Sequence, residues 1–263
     1  MRRSRAAATH LASIGVEPRI GDLRSDAGKL ISRDTRVVIA CQSADGHDVE
    51  AYRAAYVETT AAMLRAVSAL PLSRFVYVGS TGVLGRDDGG DVDEAGPPVP
   101  ASPTGQVLLE AERVVLDAAG GGLPACIVRP SGLYGPGRYG IVDRVRSGRL
   151  GLGPGDDAWM NFCHREDAVR AVLGAVDRGR TGAIYHASDA EPARRREVIT
   201  WIARRLGLPA PQAPPHDTPP RRGSNRRVLS ARTRRELAFR LAFPSFREGL
   251  AVSPRSVWEP ALP

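Results

Sequence analysis

Short strand-like runs recur along the chain with longer amphipathic stretches between most of them. The runs are residues 16–20, ending at Gly21-Asp22, then 36–40, 75–78, 125–128 after the breaker Gly120-Gly121-Gly122, and 183–186. The last four are continuously apolar. A strand that does not alternate has both faces covered, the habit of a parallel sheet between helices. Over 50–70, Tyr56, Thr60, Met63, Leu64 and Val67 form one helical stripe; over 106–118, Val107, Leu108, Ala111, Val114 and Val115 form another. Residues 167–176 and 194–206 complete the helical set. This βαβ rhythm specifies a doubly wound α/β fold with a parallel sheet. With 263 residues and 42% apolar content the chain can bury a full core, which excludes a disordered chain. Six prolines between 209 and 220 mark a linker or surface loop.

Charge is unevenly placed. The net charge is +8, carried by 36 arginines and one lysine, Lys29. Between 190 and 240, thirteen arginines meet only Glu191, Glu197, Asp217 and Glu236, a local net of +9, so the rest of the chain is near −1. Such a region is either an anion-binding face or a solvated helical face. It lacks interleaved aromatics and any nucleic-acid motif, so no nucleic-acid partner is expected. No apolar window reaches membrane-spanning length, and the alanine-rich N-terminus is broken by Thr9, His10 and Ser13, so the protein is expected in the cytoplasm. Cys41, Cys126 and Cys163 form no C-x-x-C, which argues for a reducing compartment, buried free thiols and no metal.

In an open parallel sheet, ligands sit at the carboxyl ends of the strands. Here those ends read Gly21-Asp22-Leu23, Ala40-Cys41-Gln42-Ser43, Gly79-Ser80-Thr81-Gly82 and Arg129-Pro130-Ser131-Gly132. Four small, polar ends in series describe a site for a flat ligand better than four unrelated turns.

Three further segments turn this pattern into a resemblance. Residues 75–85 (FVYVGSTGVLG), 129–138 (RPSGLYGPGR) and 161–168 (NFCHREDA) resemble the serine loop, the arginine-proline to tyrosine-glycine-proline-glycine loop and the histidine-x-x-aspartate helix start of the extended and atypical short-chain dehydrogenase/reductases, the NAD-dependent epimerase/dehydratase family. The resemblance runs from about residue 14 to 250. It implies a Rossmann-like parallel sheet and an NAD or NADP cofactor. Asp22 and Leu23 would flank the adenine, Ala40 and Cys41 its ribose, Pro130, Ser131 and Gly132 the nicotinamide, and Arg2 and Arg3 an NADP 2′-phosphate. Ser80 would bond the reacting oxygen as a catalytic residue. Thr81, Tyr134, Arg138, Asn161 and His164 would face a small-molecule substrate. Asp167 is expected to cap its helix. Helices 50–70 and 106–118 match those that pair protomers into homodimers in the family.

Departures from the family limit this reading. The tyrosine and lysine of the family's proton-transfer motif align with Thr104 and Leu108. A threonine hydroxyl is too weak an acid to serve unaided, and a leucine cannot help it. Met160 replaces the arginine that grips diphosphate in nucleotide-sugar members. No G-x-x-G-x-x-G precedes residue 14, so cofactor binding by this chain is expected to be weak or absent, with a start codon further upstream. The expected division is a partial NAD(P)-binding domain over 1–135, with the remaining sheet elements and a small substrate subdomain over 136–263. The function read from the sequence is that of an NAD(P)-dependent oxidoreductase or epimerase-like protein, with Ser80 and Thr104 at the reaction. The alternative is a non-catalytic dinucleotide- or metabolite-sensing protein on the same fold.

Overall fold

The computed structural model describes residues 9, 11–153, 157–209 and 225–258. In chain order the elements are α1 (Leu23–Leu30), β1 (Val37–Ala40), α2 (Val49–Tyr52), a π-helical turn (Arg53–Glu58), α3 (Thr59–Val67), β2 (Arg74–Val78), β3 (Asp91–Val92), α4 (Pro103–Gly120), β4 (Ala125–Pro130), β5 (Gly132–Tyr134), α5 (Gly140–Arg146), β6 (Trp159–Met160), β7 (Phe162–His164), α6 (Arg165–Arg178), β8 (Ile184–Ala187), β9 (Ala193–Arg194), α7 (Arg195–Arg205), β10 (Arg227–Val228), α8 (Ala231–Glu236) and α9 (Phe246–Ala251). The central sheet has the order β1-β2-β4-β8. Its strands match four of the five expected runs. The segment at 209–220 lies outside the described residues, apart from Pro209.

The fifth run fails. Residues 16–20 form no strand, and only Ile20 makes an isolated bridge. Pro18 stands in the middle of that run, lacks an amide hydrogen and cannot serve a strand interior. Expected coverage also fails at β1, an end strand in the sheet order, where Val37 and Ile39 are 38% and 40% exposed.

The chain divides into two compact units. The first comprises Met1–Gly79, Pro103–Ile127 and Gly179–Ala183. In it β1 and β2 pair in parallel, Val37 against Arg74 through Ala40 against Tyr77. Phe75, Val76 and Tyr77 are fully buried. Asp22 caps α1 and Asp48 caps α2, each accepting a first-turn amide that has no helical partner. α4 starts on Pro103, whose fixed φ suits a first helical position, and lays Val107, Leu108, Ala111, Glu112, Val115 and Ala119 on its buried side. The π turn lets α2 pass into α3 with Thr59 N–H bonded back to Ala54 O, and Arg53 within it pairs with Glu110 of α4.

The second unit comprises Ser80–Ser102, Val128–Arg178 and Ile184–Pro263. Here β5 and β7 pair in parallel, β3 and β10 in parallel, and β6 and β9 antiparallel. Val142, Val145, Val198, Ile199, Ile202, Phe246 and Leu250 build the core from α5, α7 and α9. Each such side chain contributes about 1.5–3 kcal/mol on burial. Tyr134 and Phe162 meet edge-to-face with ring centres 5.8 Å apart, an arrangement that suits the aromatic quadrupoles. α9 opens on a capping box between Ser245 and Glu248.

Asp167 is not a helix cap. It is the third residue of α6, fully buried, and its carboxylate accepts from Ala242 N (2.8 Å), Phe243 N (2.9 Å) and Arg170 Nη1 (2.7 Å). The side chain therefore anchors the segment that follows α8. Cys126 and Cys163 are buried, as expected of free thiols, but Cys41 is exposed because β1 ends one residue before it. No helix among the described residues is long and apolar enough to cross a membrane.

Candidate functional site

The second unit gathers most of the expected site residues, in the short strands β5 and β7, at the end of β4 and on the loop after β2. Ser80 has extended backbone and caps the short 3-10 turn Thr81–Val83, its Oγ accepting from Gly82 N at 3.0 Å. The oxygen is thus engaged, while the hydroxyl proton has no acceptor among the described residues. Thr81 is buried and its hydroxyl donates to Pro130 O at 3.4 Å. Ser131 donates from Oγ to Ser188 Oγ (3.0 Å), and its amide donates to Ala187 O (2.9 Å). Gly132 is exposed and donates its amide to Asn161 O at 3.0 Å; a Cβ there would stand 3.0 Å from the same oxygen, so the close approach needs glycine.

Asn161 uses both ends of its amide. Nδ2 donates to Arg226 O at 2.9 Å and Oδ1 accepts from Val228 N at 2.7 Å. That clamp holds Arg226, which is 7% exposed, so that its Nη2 donates to Thr81 O at 2.7 Å. Thr81, Pro130, Asn161 and Arg226 are therefore parts of one hydrogen-bonded arrangement, and Ser80 precedes Thr81 in the chain. Burial holds the Arg226 guanidinium below its ordinary pKa.

Tyr134 and His164 lie deeper. Their rings are 5.2 Å apart, and the His164 ring lies 3.8 Å from that of Phe243, tilted by 46°. His164 Nδ1 accepts from Glu166 N at 3.4 Å, which leaves Nε2 buried without a hydrogen-bond partner among the described residues; burial lowers the pKa of this imidazole. Both side chains are at most 2% exposed and pack into the core. Arg138 by contrast is exposed on the turn that closes at Gly135.

The first unit holds the remaining described candidates. Asp22 is engaged by Arg24, which donates through Nη2 at 2.7 Å, and Leu23 begins α1. Ala40 is buried at the end of β1 and Cys41 follows it. Next to them Gln42 donates from Nε2 to Thr60 Oγ1 at 2.7 Å, while its buried Oε1 has no hydrogen-bond partner among the described residues. Thr104 is partly buried in the first turn of α4, and Leu108 is 8% exposed one turn on. Arg2 and Arg3 lie outside the described residues.

Sequence reasoning missed Arg226, Ser188, Asp189 and Glu112. Arg226 was hidden inside an arginine-rich stretch that also reads as solvated surface. Glu112 is 1% exposed, and a Cβ on Gly79 would come within 2.7 Å of its Oε1. The missed signal was a glutamate on the apolar stripe of α4, four residues after Leu108.

Comparison with known proteins gives these features a context. The model of a family described as NAD dependent epimerase/dehydratase matches residues 10–188. A Streptomyces protein described as 3-diazoavenalumate denitrifying reductase is 33% identical over 218 residues, covering 78% of this chain and 67% of that protein. A Stigmatella aurantiaca protein described as 4-hydroxy-2-methyl-3-oxo-4-farnesyl-3,4-dihydroquinoline-1-oxide ketoreductase is 28% identical over 222 residues, covering 79% of this chain and 65% of that protein. The matched stretch thus spans about two thirds of the length of these relatives. The solved structure of MoeE5 in complex with UDP-glucuronic acid and NAD superposes with a TM-score of 0.78 at 24% identity, over 93% of this chain and 92% of that one, which establishes the shared fold.

Proposed function

The chain belongs to the NAD-dependent epimerase/dehydratase family, and on that premise we propose that it is an NAD(P)-dependent oxidoreductase that reduces or oxidises a small carbonyl or hydroxyl compound. One observation carries this reading. Ser80 has its oxygen engaged by Gly82 N while its proton remains available, so the hydroxyl is preset as a donor to a substrate oxygen. A preset donor aimed at an oxygen that gains charge favours the transition state over the ground state.

The residues present fit a dinucleotide. In the first unit Gln42 offers a buried acceptor of the kind a ribose hydroxyl donates to, beside Ala40 and Cys41; Asp22 and Leu23 complete the adenosine-side set. In the second unit Pro130, Ser131 and the bare backbone of Gly132 form the nicotinamide-side set. The dinucleotide, when bound, supplies the hydride donor or acceptor. Ser80 polarises the substrate oxygen, and Thr104 or a water takes up the proton task. Thr81, Tyr134, Asn161 and His164 hold the loop conformations, and Arg138 stands exposed for a substrate anion.

NADP is the expected form if Arg2 and Arg3 receive its 2′-phosphate, and affinity for residues 1–263 is expected to be weak without a pyrophosphate-binding glycine turn. Residues 1–135 as cofactor domain, the substrate subdomain within 136–263, a homodimer through the helices at 50–70 and 106–118, a cytoplasmic location and the lack of a nucleic-acid partner belong to the same proposal. Leu108 favours a second reading. Its buried side chain stands where the family's lysine would act, as expected of a protein that senses a dinucleotide without turning it over.

Incubation with NADPH deuterated at C4 and a panel of ketones, followed by mass spectrometry of the products, separates the two. Deuterium transfer that falls roughly 10²-fold in Ser80→Ala supports the enzyme. Saturable NADPH binding with no transfer to any ketone supports the sensor.

A further inference from the structure

The arginine-rich stretch reaches the surface in a way that the proposed reaction does not use. In the second unit Arg234, Arg235, Arg240, Phe239, Leu241 and Pro244 line a cavity of about 550 Å³. That volume lies within the range of small-molecule sites. None of the three guanidiniums hydrogen-bonds or ion-pairs with a described residue. The nearest acidic side chains in sequence are engaged elsewhere: Glu236 by Arg232 at 2.9 Å and Glu191 by Arg247 at 3.9 Å. Three arginines without an ion-pair partner among the described residues thus line one open surface depression together with apolar side chains.

The backbone that builds it is strained. α8 ends in a turn in which Phe239 N donates to Arg234 O at 3.2 Å, and Ala238 sits at φ +53°. A residue with a Cβ is costly in that left-handed conformation. The turn is what sends Phe239, Arg240 and Leu241 back across the same cavity as Arg234. Strained backbone of this kind persists where the surroundings over-determine it, often at binding sites.

We propose that this cavity binds a phosphate monoester with an apolar body, its phosphoryl oxygens held by Arg234, Arg235 and Arg240 and its body resting on Phe239, Leu241 and Pro244. A phosphate dianion presents three terminal oxygens, enough for more than one guanidinium fork, whereas a carboxylate presents two. The apolar side chains gain by covering an aryl or alkyl body and gain nothing from inorganic phosphate. The site is separate from Ser80 and Arg226, so its failure would leave the proposed reaction untouched.

Isothermal titration with 1-naphthyl phosphate and with inorganic phosphate, at about 0.1 M and 0.3 M salt, tests this. Naphthyl phosphate is expected to bind at least ten-fold more tightly than inorganic phosphate. Arg234→Gln with Arg240→Gln should weaken it ten-fold or more without changing the far-ultraviolet dichroism. Phe239→Ala should erase most of the naphthyl advantage and leave phosphate binding unchanged. Arg113→Gln, an exposed arginine of α4, serves as the control and should have no effect. Equal affinity of the two probes, an intact affinity in the double variant, or an equal loss in Arg113→Gln would each overturn the site and leave only diffuse positive charge.

Discussion

The Tyr134 hydroxyl lies 3.3 Å from the Asp189 carboxyl, and the same hydroxyl lies 3.0 Å from Ser245 O. One phenolic proton cannot fully serve both oxygens. If the buried Asp189 carboxyl is neutral, it donates to Tyr134 and Tyr134 donates to Ser245 O, and the conflict disappears. Burial drives the Asp189 pKa up to about 7, with the nearby Asp167 carboxylate pushing the same way; the hydrogen bonds from Tyr134 and the His164 amide oppose them. The hydrogen-bond count and the electrostatics agree.

Stability should therefore fall as pH rises. An acid whose pKa is raised on folding holds its proton more tightly in the native state, so its contribution is complete near pH 4 and is lost as pH climbs to about 7 and beyond. Melting temperature measured from pH 4 to 8 should decline for the native chain as Asp189 loses a contribution on the order of a few kcal/mol of stability across the range. Asp189→Asn, which keeps a donor for Tyr134, should flatten that decline. An unchanged slope in the variant would assign it to other groups.

Ala238→Gly should stabilise the protein. The residue stands at φ +53° just past the end of α8, where the bond from Phe239 N to Arg234 O closes the turn, and glycine enters that conformation freely. The gain should be about 1 kcal/mol, read as a higher denaturation midpoint at constant slope. Ala238→Val should lower the midpoint.

Gly249→Ala should do the opposite. A Cβ at that position in α9 would collide with the Tyr134 ring, 2.5 Å from Cε2 and 2.7 Å from Cζ. Tyr134 is 2% exposed and held by its hydroxyl, so it cannot move aside cheaply. The expected loss is about 1–3 kcal/mol by chemical denaturation. Adding Tyr134→Leu should return part of it, as a double-mutant cycle would show.

Ser80→Ala should lower kcat/KM by roughly 10²-fold, the usual size for one polarising donor, on whichever ketone accepts deuterium. Dinucleotide affinity should hardly change. Equal activity would reduce Ser80 to a cap for the turn at Gly82.

What the sequence disclosed and what it withheld divide along the range of the interactions. Continuous apolar runs located β1, β2, β4 and β8 because a strand's burial is written in neighbouring residues. α4 and α6 were expected over 106–118 and 167–176 and extend to Pro103–Gly120 and Arg165–Arg178, since helix ends depend on caps and turns that periodicity does not weigh. Asp167 looked like a cap from its place beside a helix start. Its amide partners at 242 and 243 are seventy-five and seventy-six residues away, which no local pattern could reveal. Asp189 was overlooked for the same reason, its partner Tyr134 being fifty-five residues earlier.

The π turn at Arg53–Glu58 fixes more than a local hydrogen bond. A π turn is a regular helix that has absorbed one extra residue, and each residue added or removed swings the preceding side chains by about 100° around the axis. Deleting one residue between 53 and 58 would let α2 and α3 fuse into an unbroken helix and would satisfy the backbone better. It would also turn Arg53 away from Glu110 and carry Tyr56 off its present face. The spacing between the loop after β1 and the buried stripe of α3 is thus held by a one-residue excess. Natural length variation should accumulate on either side of this helix and spare its interior.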